Sequence, residues 1–169
     1  AALEGLQKRG LVYPCYCSRK QLEAENPKSE TGEIVYRGKC FLRHTEALRS
    51  KTKNSMDTLV ASRLRCDDLR QDFLRCDEQP HNLRIVIPDK VIHWHDMRLG
   101  DFNENPKLQC GDFPIRDREG QWTYQFAVCV DDIEEGITHI VRGEDIRSST
   151  ARQIALMRLL GRETPPLYL

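Results

Sequence analysis

The chain has 169 residues, which is enough for one hydrophobic core or for one core with a small appended module. Its 26 basic and 26 acidic side chains give a net charge of zero, so a basic surface for nucleic acid would have to be local. The sequence contains no apolar run of transmembrane length and no secretory leader, and we therefore expect neither a membrane partner nor export.

Residues 1–10 predict the end of an amphipathic helix that stops at Gly10. Glycine suits a helix end because it adopts a positive φ without a steric penalty. The sequence does not start with methionine. We therefore expect the chain to be a piece of a longer protein.

Seven cysteines occur in the chain, at positions 15, 17, 40, 66, 76, 110 and 129. The number is odd and no secretion signal accompanies it, which argues against a disulfide framework and favours metal ligands or free thiols. Together with the α/β pattern described below, the cysteines indicate a cytoplasmic enzyme, or an organellar one if the source is eukaryotic.

Three of these cysteines have the spacing of a metal site. Cys15 and Cys17 form a C-x-C pair, and Cys40 ends the segment YRGKC. Three thiolates leave one position of a tetrahedral zinc site for a fourth ligand, and Tyr36 and His44 are both within reach along the chain. Neutral imidazole needs no ionisation, whereas a tyrosine must lose its phenolic proton, which the charge of zinc can assist. The residues alone leave both candidates open.

The middle of the chain is highly charged. Residues 43–65 hold six Lys or Arg against two acidic residues, and in residues 66–79 the acidic residues outnumber the basic ones. A basic face could follow an RNA phosphate backbone, although a solvated helix or loop is the simpler interpretation. Cys66 and Cys76 could form a second metal pair, but no further ligands stand nearby. We interpret 43–80 as a variable insertion.

Strand patterns follow this insertion. Residues 83–88 predict a strand that ends at a proline. His93 and His95 stand two residues apart, so an extended backbone would put both imidazoles on one face. They could form a metal pair, but without an evident third ligand a polar strand face is the favoured interpretation. Residues 112–124 predict a β-hairpin with its turn at 117–120.

The run from Tyr124 to Gly161 predicts a helix, a short strand and a second helix. Gly136 can end the first helix as a C-terminal cap. Residues 137–142 alternate as a short strand with both faces covered. The T-x-x-Q segment that begins at Thr150 predicts a capping box for an amphipathic helix that stops at the final glycine.

A charged turn, RGED, joins the predicted strand to the second helix. It contains Arg142 and Asp145. Open α/β sheets bind ligands just outside the carboxyl ends of their strands. The turn therefore indicates a ligand site in half of a nucleotide-binding α/β domain. The alternative is that the two side chains form a local ion pair.

These motifs resemble those of the glutamyl-tRNA synthetase-like enzymes. The family pattern Y-x-x-A-x-x-V-D-D begins here at Tyr124, and the pattern R-G-x-D begins at Arg142. The resemblance implies that these two residues contact the bound glutamate and that Asp145 lies near ATP. The chemistry agrees, because a guanidinium fork matches a carboxylate and a phenol adds one directed hydrogen bond. Such a site would reject glutamine.

Within the family, the glutamyl-Q synthetases resemble this chain best. They carry a zinc site of the form C-x-C … Y-x-x-x-C, whereas several glutamyl-tRNA synthetases use C-x-C … C-x-H. Leu42 stands where that histidine would be. The resemblance therefore implies a structural zinc ion held by Cys15, Cys17, Tyr36 and Cys40.

The resemblance also implies a fold and a division of the chain. We expect an α/β protein that forms part of a class I Rossmann-type catalytic domain with a zinc-bearing α+β insertion. Residues 1–10 would be a helix of the catalytic domain, 11–110 the insertion that faces the tRNA, and 111–169 the second part of the catalytic domain. The HIGH-type and KMSKS-type motifs are absent from these residues, so the piece alone should be inactive.

The implied function is a ligase reaction. L-glutamate would be activated with ATP and magnesium and then transferred to tRNA, in the glutamyl-Q case to queuosine of tRNA(Asp), by a monomeric enzyme. Two alternatives remain open at this point. The chain could belong to an ordinary glutamyl-tRNA synthetase, or it could be a non-catalytic, zinc-stabilised RNA-binding module.

Overall fold

A computed structural model describes residues 1–30, 32–42 and 80–169. Three features of the sequence lie outside these described residues: the alternative ligand His44, the Cys66 and Cys76 pair, and the charged segment between them. Among the helices described, none is both long enough and apolar enough to cross a membrane.

The first elements are helix α1 (Ala2–Lys8), strand β1 (Val12–Cys15) and helix α2 (Arg19–Glu25). Gly10 follows α1 with a φ of 65°, which confirms the predicted helix stop. Helix α2 begins with a capping box in which the Ser18 hydroxyl accepts a hydrogen bond from a backbone nitrogen of the first turn. Residues 39–42 are also helical.

One sheet consists of β1, β2 (Asn82–Ile85) and β5 (Pro114–Arg116), all antiparallel and in the order β1-β2-β5. Strand β2 covers only the first part of the strand predicted over 83–88. The backbone nitrogen of Ile87 instead donates to the side-chain carboxylate of Asp112 at 3.0 Å, so the ladder cannot continue there.

The second sheet has the order β4-β3-β7-β6. Its strands are β3 (Ile92–Asp96), β4 (Gly100–Glu104), β6 (His139–Ile140) and β7 (Leu167–Tyr168), and β7 runs parallel to both of its neighbours. The two histidines of β3 lie on its exposed face, where His95 Nδ1 is 2.7 Å from Asp101 Oδ1 and His93 contacts Asn103. The interpretation as a polar strand face is confirmed.

The hairpin predicted over 112–124 is present in reduced form. Arg116 bridges Trp122, and the backbone nitrogen of Asp117 donates to the carbonyl of Gln121 at 2.9 Å. The return arm ends at Thr123, whose backbone nitrogen donates to the carbonyl of Ile115 at 3.0 Å, because Tyr124 already begins the next helix.

That helix is α4 (Tyr124–Glu134), and it follows the short α3 (Pro106–Gln109). A 3₁₀ helix (Glu144–Ser149) then leads directly into α5 (Thr150–Leu159). Gly136 after α4 and Gly161 after α5 have φ values of 67° and 103°. Both predicted helix stops are confirmed.

The strand predicted over 137–142 is shorter and more exposed than expected. Only His139–Ile140 pairs, and Val141 is 77% exposed. The reason is the position of β6, which is the last strand in the order of its sheet. An alternating apolar pattern does not distinguish a central strand from an edge strand.

The capping box predicted at Thr150 is wrong. Thr150 is the first residue of α5, and its hydroxyl donates to the carbonyl of Arg147 at 2.6 Å. The preceding 3₁₀ helix already supplies backbone acceptors at this end, so no side-chain cap is formed. The Gln153 side chain forms other hydrogen bonds, which are described with the functional site.

The helices pack on the two sheets to form two main cores. One core lies between the first sheet and helices α1, α4 and α5, and the other between the second sheet and α5. Both sheets take strands from either side of residue 110, where the sequence predicted a boundary between insertion and catalytic domain. The division into 1–10, 11–110 and 111–169 stays a prediction.

The backbone of Tyr36 packs so closely against Gly111 that it leaves no room for a side chain there. Gly111 has a φ of 65°, and a Cβ there would fall on the Tyr36 carbonyl oxygen and lie 2.8 Å from its nitrogen. We expect Gly111→Ala to lower the free energy of unfolding by about 2–5 kcal/mol, measured by urea denaturation. Gly120→Ala is the matched control, because Gly120 also has a positive φ but open space around it. It should cost only about 1–2 kcal/mol, and equal costs would contradict the prediction.

Candidate functional site

Three thiols and one phenol meet at the end of β1. The sulfur atoms of Cys15, Cys17 and Cys40 all lie within 4.8 Å of one another. The Tyr36 hydroxyl is 3.6 Å from Cys15 Sγ and 3.7 Å from Cys17 Sγ. Donors at the corners of a tetrahedron around zinc, with bonds of about 2.3 Å, stand about 3.8 Å apart. The four atoms therefore have the spacing and the chemistry of a zinc site.

Distant parts of the chain hold this cluster in place. Strand β1 carries Cys15, which is fully buried, and the backbone of Tyr36 bridges Gly111. The Tyr36 hydroxyl accepts a hydrogen bond from the backbone nitrogen of Cys40 at 2.9 Å. Tyr36 lies three residues before the helical residues 39–42, and Cys40 lies within them, so this hydrogen bond fixes the phenol at the cysteine.

Hydrogen bonds within the cluster shift the pKa values of two of its thiols in opposite directions. The hydrogen bond with Cys40, followed by burial, raises the pKa of the Cys15 thiol to about 12. The same hydrogen bond lowers the pKa of Cys40 to about 6. Burial raises the pKa of the Tyr36 phenol. A bound cation would have to displace the remaining protons.

A buried polar network packs against the Tyr36 ring of the cluster. The guanidinium of Arg84 lies 4.2 Å from the centroid of the Tyr36 ring, and it donates to the carbonyl of Asp112 at 2.5 Å. The Asp112 carboxylate accepts from Tyr13 at 2.9 Å and from Lys107 at 2.5 Å. The sequence analysis did not identify these residues. The available signal was one charged residue, Arg84, between the apolar residues of the predicted strand.

Arg142 follows β6 and is held from several sides. Its backbone nitrogen donates to the carbonyl of Leu169 at 3.0 Å, and its guanidinium lies 4.6 Å from the ring centroid of Tyr168. Nη1 donates to Gln153 Oε1 at 3.1 Å, and Nη2 donates to the Thr150 hydroxyl. The guanidinium is therefore half-buried in a fixed orientation.

The acceptors around Arg142 are oriented by hydrogen bonds of their own. The Thr150 hydroxyl donates to the carbonyl of Arg147, so its oxygen is left to accept from Arg142. Gln153 Nε2 donates to Gln125 Oε1 at 3.0 Å, so its own carbonyl faces the guanidinium. A guanidinium has five N–H donors. Two are used within the described residues, which leaves three for a planar anion.

Tyr124 stands at the start of α4, where its side chain is 58% exposed. Its neighbour Gln125 binds Gln153, so the start of α4 is tied to the residues that hold Arg142. Burial lowers the pKa of Arg142, and Tyr168, Asp96 and Tyr124 act in the opposite direction. The structure thus links the start of α4 to Arg142 through Gln125 and Gln153.

Asp145 lies exposed in the 3₁₀ helix. It does not form the ion pair with Arg142 that was the alternative interpretation of the charged turn. Its carboxylate packs against Gly143, where an added Cβ would force this carboxylate to move. Its neighbour Glu144 pairs with Arg98 at 3.2 Å. The turn thus presents the Arg142 and Asp145 side chains separately.

The sequence analysis missed three residues of this site. Gln125, Thr150 and Gln153 orient Arg142, directly or through one another. The T-x-x-Q spacing places the last two on one face of a helix. The same spacing also fits a capping box, and this is why their role was not recognised.

Comparison with known proteins identifies the family. The family of class I tRNA synthetases (E and Q), catalytic domain, matches residues 1–169. A glutamyl-Q tRNA(Asp) synthetase of Albidiferax ferrireducens is 39% identical over 97% of this chain and 52% of its own length. One of Thiobacillus denitrificans is 35% identical over 98% of this chain and 44% of its own length. The chain thus spans about half the length of the curated relatives it matches.

Solved structures agree on the fold. The glutamate-tRNA synthetase of Elizabethkingia anophelis matches with a TM-score of 0.62 and 22% identity, over 98% of this chain and 30% of that chain. At this identity the likeness concerns the fold alone. It confirms the predicted α/β class at the level of a class I catalytic domain. With the family match over its whole length, this chain belongs to the class I tRNA synthetases of the E and Q family.

Proposed function

We propose that the protein containing this chain activates L-glutamate with ATP and transfers the glutamyl group to tRNA, as a cytoplasmic monomer. One observation carries the proposal. Arg142 is an oriented, half-buried guanidinium that forms no ion pair within 4.0 Å among the described residues. A buried cation with unused donors is suited to an anionic ligand.

In this proposal Arg142 binds the side-chain carboxylate of glutamate with two parallel hydrogen bonds, and Tyr124 adds a third. Gln153 and Thr150 keep the fork in plane by accepting from its other donors. Glutamine offers the fork only one oxygen and no charge. The pocket would therefore discriminate against glutamine by leaving a guanidinium donor unpaired.

ATP would bind on the side of the pocket where Asp145 lies. We propose Asp145 as a nucleotide contact, because the 3₁₀ helix leaves its carboxylate exposed beside the fixed Arg142. Magnesium bound with ATP would neutralise phosphate charge. The contribution of the residues named here is to position glutamate for attack by its α-carboxylate, which is the main catalytic factor in such reactions.

We further propose that residues 11–110 form a zinc-bearing insertion and that Cys15, Cys17, Tyr36 and Cys40 are the zinc ligands. The distances among the four donor atoms support this assignment. With four protein ligands the ion would have no open position, so it would be structural and would take no part in hydrolysis.

The proposed acceptor is queuosine of tRNA(Asp). Two observations support it: the relatives at 34–39% identity are glutamyl-Q tRNA(Asp) synthetases, and a tyrosine occupies the fourth position of the thiol cluster. Leu42, which stands where several glutamyl-tRNA synthetases have a zinc histidine, is 58% exposed and has no metal-binding group.

The acceptor is tested by charging purified tRNAs with labelled glutamate, using the whole protein. We expect label on queuosine-containing tRNA(Asp) and none on the same tRNA without queuosine. Label on the terminal adenosine of tRNA(Glu) would establish an ordinary glutamyl-tRNA synthetase. RNA binding without glutamate activation would favour the non-catalytic module.

A further inference from the structure

A half-exposed tryptophan stands two residues before Tyr124 of the proposed glutamate pocket. This residue, Trp122, is 47% exposed. Its backbone is fixed by the bridge to Arg116, and its ring stacks on Phe126 with centroids 4.8 Å apart and 29° between the planes. Phe126 therefore covers one face of the indole, while about half of Trp122 is accessible to a ligand.

Trp122 and Tyr124 are both exposed and are separated by one residue. Thr123 between them is fixed, because its hydroxyl donates to the carbonyl of Pro114 at 2.9 Å and its backbone nitrogen donates to the carbonyl of Ile115 at 3.0 Å. The segment that carries the two aromatic side chains is therefore anchored to β5, and Trp122 stands next to the proposed glutamate contact along the chain.

Two arginines belong to the same hairpin as Trp122. Arg116 is its partner in the bridge, and Arg118 in the turn donates to two carbonyls of the C-x-C segment at 2.9 Å. Within the described residues, neither arginine forms an ion pair at 4.0 Å or less. The turn also carries Asp117 and Glu119. Stacking, more than net charge, must therefore provide the recognition.

We propose that Trp122 stacks on the nucleobase of the acceptor nucleotide. This rests on the proposed transfer of glutamate to tRNA. The acceptor hydroxyl, on the modified base of queuosine or on the ribose of a terminal adenosine, has to reach the glutamyl carbon in the pocket of Tyr124 and Arg142. The base of that nucleotide therefore arrives unpaired at the edge of the pocket. Unpaired bases are held by stacking on aromatic side chains. Phe126 already orients the indole, which reduces the entropy lost on binding.

The test compares the whole protein with Trp122→Ala in two assays. One is glutamate-dependent exchange of pyrophosphate with ATP, and the other is transfer of labelled glutamate to queuosine-containing tRNA(Asp) and to tRNA(Glu). Loss of one stacked base should lower kcat/KM for the tRNA about 5- to 150-fold. The rate of pyrophosphate exchange should remain within about twofold of the wild-type rate, because Trp122 contacts only the RNA and not glutamate or ATP.

Two variants serve as controls. Trp122→Phe keeps an aromatic ring and should retain most of the transfer activity. Leu108→Ala removes a side chain that is 66% exposed on α3, and it should change neither assay. The tRNA whose charging depends on Trp122 identifies the stacked base as queuosine or as the terminal adenosine.

Three results would overturn the proposal. Unimpaired transfer by Trp122→Ala would exclude stacking while leaving the proposed function intact. An equal loss of exchange and transfer would assign Trp122 a structural role. A wild-type protein that activates glutamate but charges no tRNA would overturn the proposed function together with this inference.

Discussion

Replacing Arg142 by alanine in the whole protein is expected to raise the glutamate concentration required for activation far more than that of ATP. Removing one partner of a buried charge pair costs about 2–5 kcal/mol, which corresponds to about 30-fold or more in affinity. The glutamate carboxylate would lose its only proposed cationic partner, whereas the ATP contacts would remain. The measurement is pyrophosphate exchange as a function of glutamate and, separately, of ATP.

Two further variants separate binding from folding. Arg142→Lys keeps the charge but loses the planar fork, so its glutamate requirement should lie between those of wild type and Arg142→Ala. Arg162→Ala is the matched control, because the Arg162 guanidinium is likewise held by hydrogen bonds within the chain, in its case to the backbone carbonyls of Asp132 and Ile137. It should affect stability without affecting glutamate dependence. Unchanged glutamate dependence in Arg142→Ala would refute the assignment.

Local signals in the sequence predicted much of the fold. Glycines at 10, 136 and 161 marked helix ends correctly, because a positive φ is a property of one residue and its neighbours. The C-x-C spacing likewise predicted two neighbouring thiol donors, whereas the residues alone left Tyr36 and His44 open as the fourth donor. The contact of these thiols with Tyr36 and Cys40 depends on the fold, and the family resemblance supplied it.

Interactions between distant segments could not be predicted in this way. The bond from Arg84 to Asp112 joins residues 28 apart, and the close approach of Gly111 to Tyr36 joins two loops. No pattern of period two or 3.6 encodes such a pairing. The exposure of β6 was missed for the same reason, because the strand order of a sheet is a global property.

The fate of Gln153 illustrates a different kind of error. Its spacing from Thr150 fitted a capping box, yet the 3₁₀ helix before α5 satisfies that helix end with backbone groups. Both side chains then turn to Arg142. The T-x-x-Q spacing is therefore compatible both with a capping box and with two side chains that bind Arg142. Only the 3₁₀ helix before α5 distinguishes the two possibilities.

The largest effect on stability is expected from loss of the metal. The protein purified without chelator should contain about one zinc ion per chain, since the four donor atoms form one tetrahedral site. Structural zinc contributes about 10 kcal/mol or more of apparent binding free energy in small domains, whereas an ordinary substitution costs about 0.5–3 kcal/mol. Cys17→Ser should therefore lose zinc and unfold at much lower denaturant, as measured by metal analysis and urea denaturation.

A second buried thiol makes this prediction specific. Cys110 is 6% exposed and donates to the carbonyl of Pro106 at 3.2 Å, outside the cluster, so Cys110→Ser should keep its zinc. Tyr36→Phe tests the fourth ligand, and we expect weakened zinc binding because the phenolate is lost. Retention of zinc in Tyr36→Phe together with its loss in His44→Ala would move the fourth ligand to His44. A fully folded protein without metal would contradict the zinc site altogether, because the buried thiols would then be stable without a cation.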